Sequence, residues 1–148
     1  MRIIFMACLA ALIICVSGCN SKLEYEEGKD TVCAYGNGTY QILHHNDGSQ
    51  ETELLMDCKY NQCVLTQIDA YKNIENTAYF IGNYYTHKVW CKLSADNNCL
   101  YYYVENDADD EFIMVYLSDM QNDNQIVMLS SFDEFSEKDR EIFNGIQA

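Results

Sequence analysis

The chain has 148 residues, 23 of them acidic and 9 basic, for a formal net charge of −14. That length fits one domain with a sizeable core. The charge repels the phosphate backbone of nucleic acid and anionic membrane surfaces, and it attracts a cationic partner.

The N-terminal segment carries the sharpest local signal. Arg2 precedes an apolar run from residue 3 to residue 16, and Ser17 and Gly18 then precede Cys19. The run is shorter than the roughly 20 residues that a permanent membrane-spanning helix needs. A positive start, a short apolar core and small residues at a cleavage point are the parts of an export signal. With cysteine directly after Ser-Gly, the segment resembles the signal peptide and lipobox of a bacterial lipoprotein precursor. The resemblance covers residues 1–19. It implies cleavage before Cys19, a diacylglycerol and palmitate-type anchor on the Cys19 thiol, and a place in the cell envelope on the extracytoplasmic side of a membrane. Residues 1–18 are then the signal peptide, 19–30 a lipid-anchored tether and 31–148 a single globular domain. Loss of Arg2 takes the charge to −15, with 8 basic against 23 acidic residues. An ordinary secretory signal cut at the same bond is the alternative.

Residues 20–30 are polar and acidic, with Glu24, Glu26 and Glu27 and no apolar period, as in a flexible tether. Gly36-Asn37-Gly38 then separates expected strands over 31–35 and 39–45, because Asn-Gly tolerates the positive φ that tight hairpins require. Asn46-Asp47-Gly48 marks the next turn. Further strands are expected over 51–57, 64–71, 78–85, 87–93, 99–105, 112–118 and 125–130, with a turn over 72–76 and Asn- and Asp-rich loops over 94–98, 106–111 and 119–124. These short strands predict an α+β, mainly β domain built on a curved antiparallel meander sheet.

Within 87–93, Val89, Cys91 and Leu93 fall on one face and Lys88, Trp90 and Lys92 on the other. Residues 100–104 and 112–117 are apolar at nearly every position, as in central strands covered on both faces. A C-terminal helix supplies one cover. Phe132, Phe135, Ile142, Phe143 and Ile146 share an arc of about 100° at a helical period. A continuous helix would place Asp139 inside that stripe. A break is therefore expected, with 132–135 as one turn and Ser136 capping a helix over 137–144 that stops at Gly145.

Candidate chemistry is sparse. Cys58 and Cys63 flank four residues, and Cys91 and Cys99 flank seven. Each pair could close a disulfide at a hairpin base, leaving Cys33 as a lone buried thiol. Free buried thiols, or a zinc site with unusual spacings, are the alternatives. His44 and His45 are adjacent, so in a strand they point to opposite faces and cannot both hold one ion. The acidic loops match no calcium-loop pattern. No phosphate loop, dinucleotide fingerprint, serine elbow or zinc-protease motif occurs, so neither metal nor cofactor is expected.

Aromatic residues are the remaining candidates. Trp90, Tyr84, Tyr85, Tyr101 and Tyr103 make a candidate binding surface, since rigid rings with polar tips suit recognition of a protein or glycan. The resulting reading is a non-enzymatic, lipid-anchored binding lipoprotein with a protein or glycan partner and no nucleic acid. The competing readings are a small hydrolase or thiol enzyme using Cys33 or a histidine, and a structural envelope component. An acidic, strand-rich domain on a lipid tether is also similar in plan to the membrane-bound lysozyme inhibitors, small barrels that block a cationic enzyme. That likeness rests on Cys33 with Tyr35 and Gly36.

Overall fold

The computed structural model describes residues 25–105 and 126–147. Cys19, the expected strand over 112–118 and the acidic loops on either side of it lie outside those residues. Strands β1 (Thr31–Tyr35), β2 (Tyr40–Asn46), β3 (Glu51–Asp57) and β4 (Gln62–Leu65) form one antiparallel sheet in that order. Strands β5 (Gln67–Ile74), β6 (Thr77–Tyr84), β7 (His87–Ser94), β8 (Cys99–Val104) and β9 (Ile126–Leu129) form the second. A 3-10 turn (Phe132–Glu134) and helix α1 (Glu137–Gln147) follow.

The mainly β class with a C-terminal helix on one face is the class found. The meander is divided into two sheets, and the division falls inside the run expected as one strand over 64–71. The chain leaves the first sheet at Leu65 and enters the second at Gln67. Thr66, between them, donates its N–H to the Asn83 carbonyl at 2.9 Å. No proline or glycine marks the crossing; it is set by which neighbour each half pairs with. At the same corner Gly82 pairs with Ile68 beside a bulge, and a Cβ on Gly82 would lie 2.2 Å from the Gln67 carbonyl oxygen. Only glycine lets the two backbones approach this closely.

The β5–β6 turn also differs from expectation. Residues 72–74 continue β5 rather than turning, because Tyr71 stacks on Phe80 at 6.1 Å and the ladder runs to Ile74↔Thr77. The turn is Glu75-Asn76, with Glu75 at φ 52°. The last pairing, β8 with β9, is parallel. A parallel pair needs a crossover of a dozen or more residues, and residues 106–125 provide that length.

Three layers result. Tyr40, Ile42, Leu55 and Leu65 of the first sheet pack against Phe80, Tyr84, Cys91, Leu93, Leu100 and Tyr102 of the second. On the outer face of the second sheet, Tyr79 and Ile81 pack against Phe135 and Phe143, with Phe132, Ile142 and Ile146 alongside. Strands β6, β7 and β8 are thus covered on both faces, which is why β8 reads as a continuous apolar run. The two sheets do not close into a barrel, so the likeness to the lysozyme-inhibitor barrels ends there.

The break before α1 is present. Ser136 Oγ accepts from the Asp139 N–H at 3.2 Å, an N-terminal cap. Upstream, Ser131 and Glu134 form a reciprocal capping box around the 3-10 turn. Gly145 does not stop the helix. Ile146 packs against the sheet, and that burial carries α1 to Gln147 despite the cost of an internal glycine.

Candidate binding cleft

The outer face of the second sheet is organised in cross-strand rows. On an antiparallel ladder, directly opposed residues share a face. Tyr79 on β6, Lys92 on β7 and Tyr101 on β8 form one row, and Ile81, Trp90 and Tyr103 form the next. The first row holds the helix and the second floors a cleft.

The holding row centres on Asp139. This side chain is buried, yet it accepts from the Tyr79 hydroxyl at 2.8 Å, from Lys92 Nζ at 2.8 Å and from Ser136 Oγ at 2.7 Å. Burial alone would raise its pKa, but the Lys92, Ser136 and Tyr79 hydrogen bonds outweigh it and hold the carboxyl below its ordinary value. Burial and the neighbouring carboxylate push the Tyr79 phenol far above its usual range, so it stays protonated and donating. Lys92 also lies over the Tyr101 ring, 5.5 Å from its centroid. The residue that looked misplaced in the helical stripe is therefore the one that docks the helix. Its partners lie 60 and 47 residues away in the chain, a separation that no local pattern reports.

Beside this latch, at the C-terminal half of α1, opens a cleft of about 180 Å³. Trp90 and Tyr103 floor it, with ring centroids 5.7 Å apart. Phe132 closes one side, 5.6 Å from Trp90 and 6.0 Å from Tyr103. Among the described residues, Glu105, Asn144 and Gln147 complete the lining, one charged group and two carboxamides beside the three aromatic side chains. A second surface cleft, about 240 Å³, lies where Tyr35 reaches Asn73 across the two sheets at 3.0 Å.

The sequence-derived aromatic set is divided by the fold rather than gathered on one surface. Trp90 and Tyr103 reach the cleft. Tyr101 is half-buried under the helix beside Lys92. Tyr84 faces inward and is buried in the inter-sheet core, since β6 packs on both faces. Tyr85 is 64 % exposed in the β6–β7 turn, at φ 54° and edge-on to Tyr84. Asn144, Gln147 and Glu105 were not singled out from the sequence, because polar residues on a helix surface or at a strand end resemble any solvated position.

All five described cysteines are free thiols. The two expected pairings fail on register. The β3–β4 hairpin closes with Asp57↔Gln62, which puts Cys63 opposite Met56 and leaves Cys58 in the turn. On β7–β8, Cys91 opposes Tyr102 while Cys99 opposes Ser94, three positions along the ladder. Cys33, expected as the one thiol left over and buried, is one of five free thiols among the described residues and is half-buried against the inter-sheet core. Burial pushes the Cys63 thiol up to about 11 and the Cys91 thiol well above its ordinary value. Cys63 donates to the Leu65 carbonyl at 3.0 Å. His44 and His45 are exposed on β2. Among the described residues no cluster of His, Cys, Asp or Glu could hold a metal ion.

One buried polar feature lacks any sequence signal. Asp57 is fully buried at the end of β3, where Oδ1 accepts from the Lys59 N–H at 2.8 Å and the Tyr60 N–H at 3.2 Å. Its Oδ2 and the Tyr40 hydroxyl are neighbours across the β2–β3 ladder; they act on one another electrostatically without a well-aligned hydrogen bond between them. Burial pushes the Asp57 carboxyl up to about 6, against the lowering pull of the Lys59 N–H.

Comparison of the chain with family models, with curated proteins and with solved structures finds no match.

Proposed function

We propose that this chain is a lipid-anchored extracytoplasmic lipoprotein whose single domain binds a partner and performs no chemistry on it. The observation that carries the binding half is the Trp90 cleft: an aromatic floor at the helix edge, rimmed by Glu105, Asn144 and Gln147. A cleft that sets aromatic side chains beside a few convergent polar groups is a form that recognition sites take. The lipobox-like segment ending at Cys19 carries the anchoring half. Among the described residues no helix is long and apolar enough to cross a membrane.

The thiol-enzyme alternative needs a thiolate. Cys63 and Cys91 are held as thiols by burial and do not supply one, and the Cys33 of that alternative lies half-buried against the inter-sheet core. The negative charge favours a neutral or cationic partner.

The test is site-specific photo-crosslinking in cells. A crosslinking residue at Asn144, on the cleft rim, is expected to give adducts. One at Val32, exposed on β1 of the opposite sheet, is expected to give none. Equal labelling at both positions, or none at residue 144, contradicts the cleft as the binding surface.

A further inference from the structure

We propose that the Trp90 cleft takes one ring of a neutral sugar, and this rests on the binding reading above. Four observations on the cleft converge on that ligand class. Trp90 and Tyr103 line the cleft with rigid aromatic surface, the kind of surface on which the C–H face of a pyranose stacks. Asn144 and Gln147 each present both an amide donor and a carbonyl acceptor, the pairing that hydroxyl groups satisfy. Among the described residues the only charged side chain in the lining is Glu105, which accepts from hydroxyls and repels phosphate, sulfate and uronate. The volume, about 180 Å³, lies below the roughly 300 Å³ at which pockets for drug-sized ligands begin, so it suits a single ring and not a folded peptide segment.

Other occupants fit less well. A quaternary ammonium is caged between rings that stand apart. Here Trp90, Tyr103 and Phe132 touch one another, with centroids 5.6 to 6.0 Å apart, and leave no room for a cation between them. Anionic glycans meet Glu105 and a chain of net charge −14. A neutral ring stacked on the floor, with its hydroxyls turned to the Asn144 and Gln147 amides, uses every group the cleft presents.

Trp90 is the single tryptophan of the chain, so its emission reports the cleft without a label. The experiment titrates the protein with the methyl glycosides of glucose, galactose and N-acetylglucosamine, with glucuronate and an arginine-rich peptide as contrasting probes. At least one neutral glycoside is expected to shift Trp90 emission saturably. Asn144→Ala and Gln147→Ala, both exposed helix positions that leave the core intact, are each expected to weaken that binding roughly tenfold. The proposal is overturned if no neutral glycoside shifts the emission, if glucuronate or the peptide binds as tightly, or if both variants bind as the parent does. Crosslinking at residue 144 separates the two levels. Protein adducts there without a sugar response sink the sugar and keep the cleft, whereas neither adducts nor a sugar response sinks both.

Discussion

Asp57 shows how much one buried oxygen can set. Burial pushes its folded pKa up to about 6 from an ordinary 3.8, so between those values the folded chain holds a proton that the unfolded chain has released. Stability from this group is fully present below about pH 4 and is lost as pH rises through about 6. Asp47, Glu134 and Asp139 behave oppositely. Their folded pKa values are lowered, so their contribution is present above their unfolded values and is lost as pH falls through the folded ones, for Asp47 down to about 2. The two windows meet near pH 4. Asp57→Asn keeps an acceptor for the Lys59 and Tyr60 N–H groups, removes the buried charge and offers Tyr40 a donor. The variant should be more stable than the parent at pH 7, on the order of 2 kcal/mol, and nearly equal to it at pH 4. Urea denaturation at the two pH values checks this. A variant less stable than the parent at pH 7 contradicts it. Nothing in the residues around Asp57 announced its burial, since Asp-Cys-Lys-Tyr-Asn reads as an ordinary exposed turn.

At the scale of elements, α1 is seated by one ion pair as well as by its aromatic stripe. Its apolar face and the break at Ser136 were legible in the sequence, because a helical period and a capping residue are local signals. The reason Asp139 faces inward was not, since Tyr79 and Lys92 come from two other strands. Likewise the alternation of β7 could be read residue by residue, but the passage from β4 to β5 at Thr66 could not. Period-2 alternation continues across that corner, and only long-range pairing tells the two sheets apart. The disulfide expectation failed for a related reason: cysteine spacing does not report register. Removing Lys92 should test the latch. Lys92→Met leaves the Asp139 carboxylate buried without its counter-charge, at a cost of about 3 kcal/mol, and should red-shift Trp90 emission as the helix loosens over the sheet. Denaturant midpoints and emission spectra measure both. An unchanged midpoint would show that the stripe alone holds the helix.

For the whole molecule, the first strand starts at Thr31, but residues 25–30, expected as part of the flexible tether, are held on the first sheet: the Tyr25 N–H donates to the Asn37 carbonyl at 3.2 Å, the Glu26 carbonyl accepts from the Gln41 amide at 3.2 Å and the Asp30 carbonyl accepts from the His44 N–H at 2.7 Å. The mainly β class followed from short alternating strands and Asn-Gly turns. Its division into two sheets with a helix on the outer face gives the domain a cleft that no single stretch of sequence encodes. Trp90 and Tyr103 come from strands, Phe132 from the 3-10 turn, and Asn144 and Gln147 from the helix. In the proposed function the anchor supplies the address and the cleft supplies the recognition. The anchor is the part that one measurement decides: the intact mass of the protein extracted from membranes. A chain that begins at Cys19 and carries a diacylglycerol on its thiol is the expected result. A chain that retains residues 1–18, or one whose Cys19 is unmodified or disulfide-bonded, would contradict it.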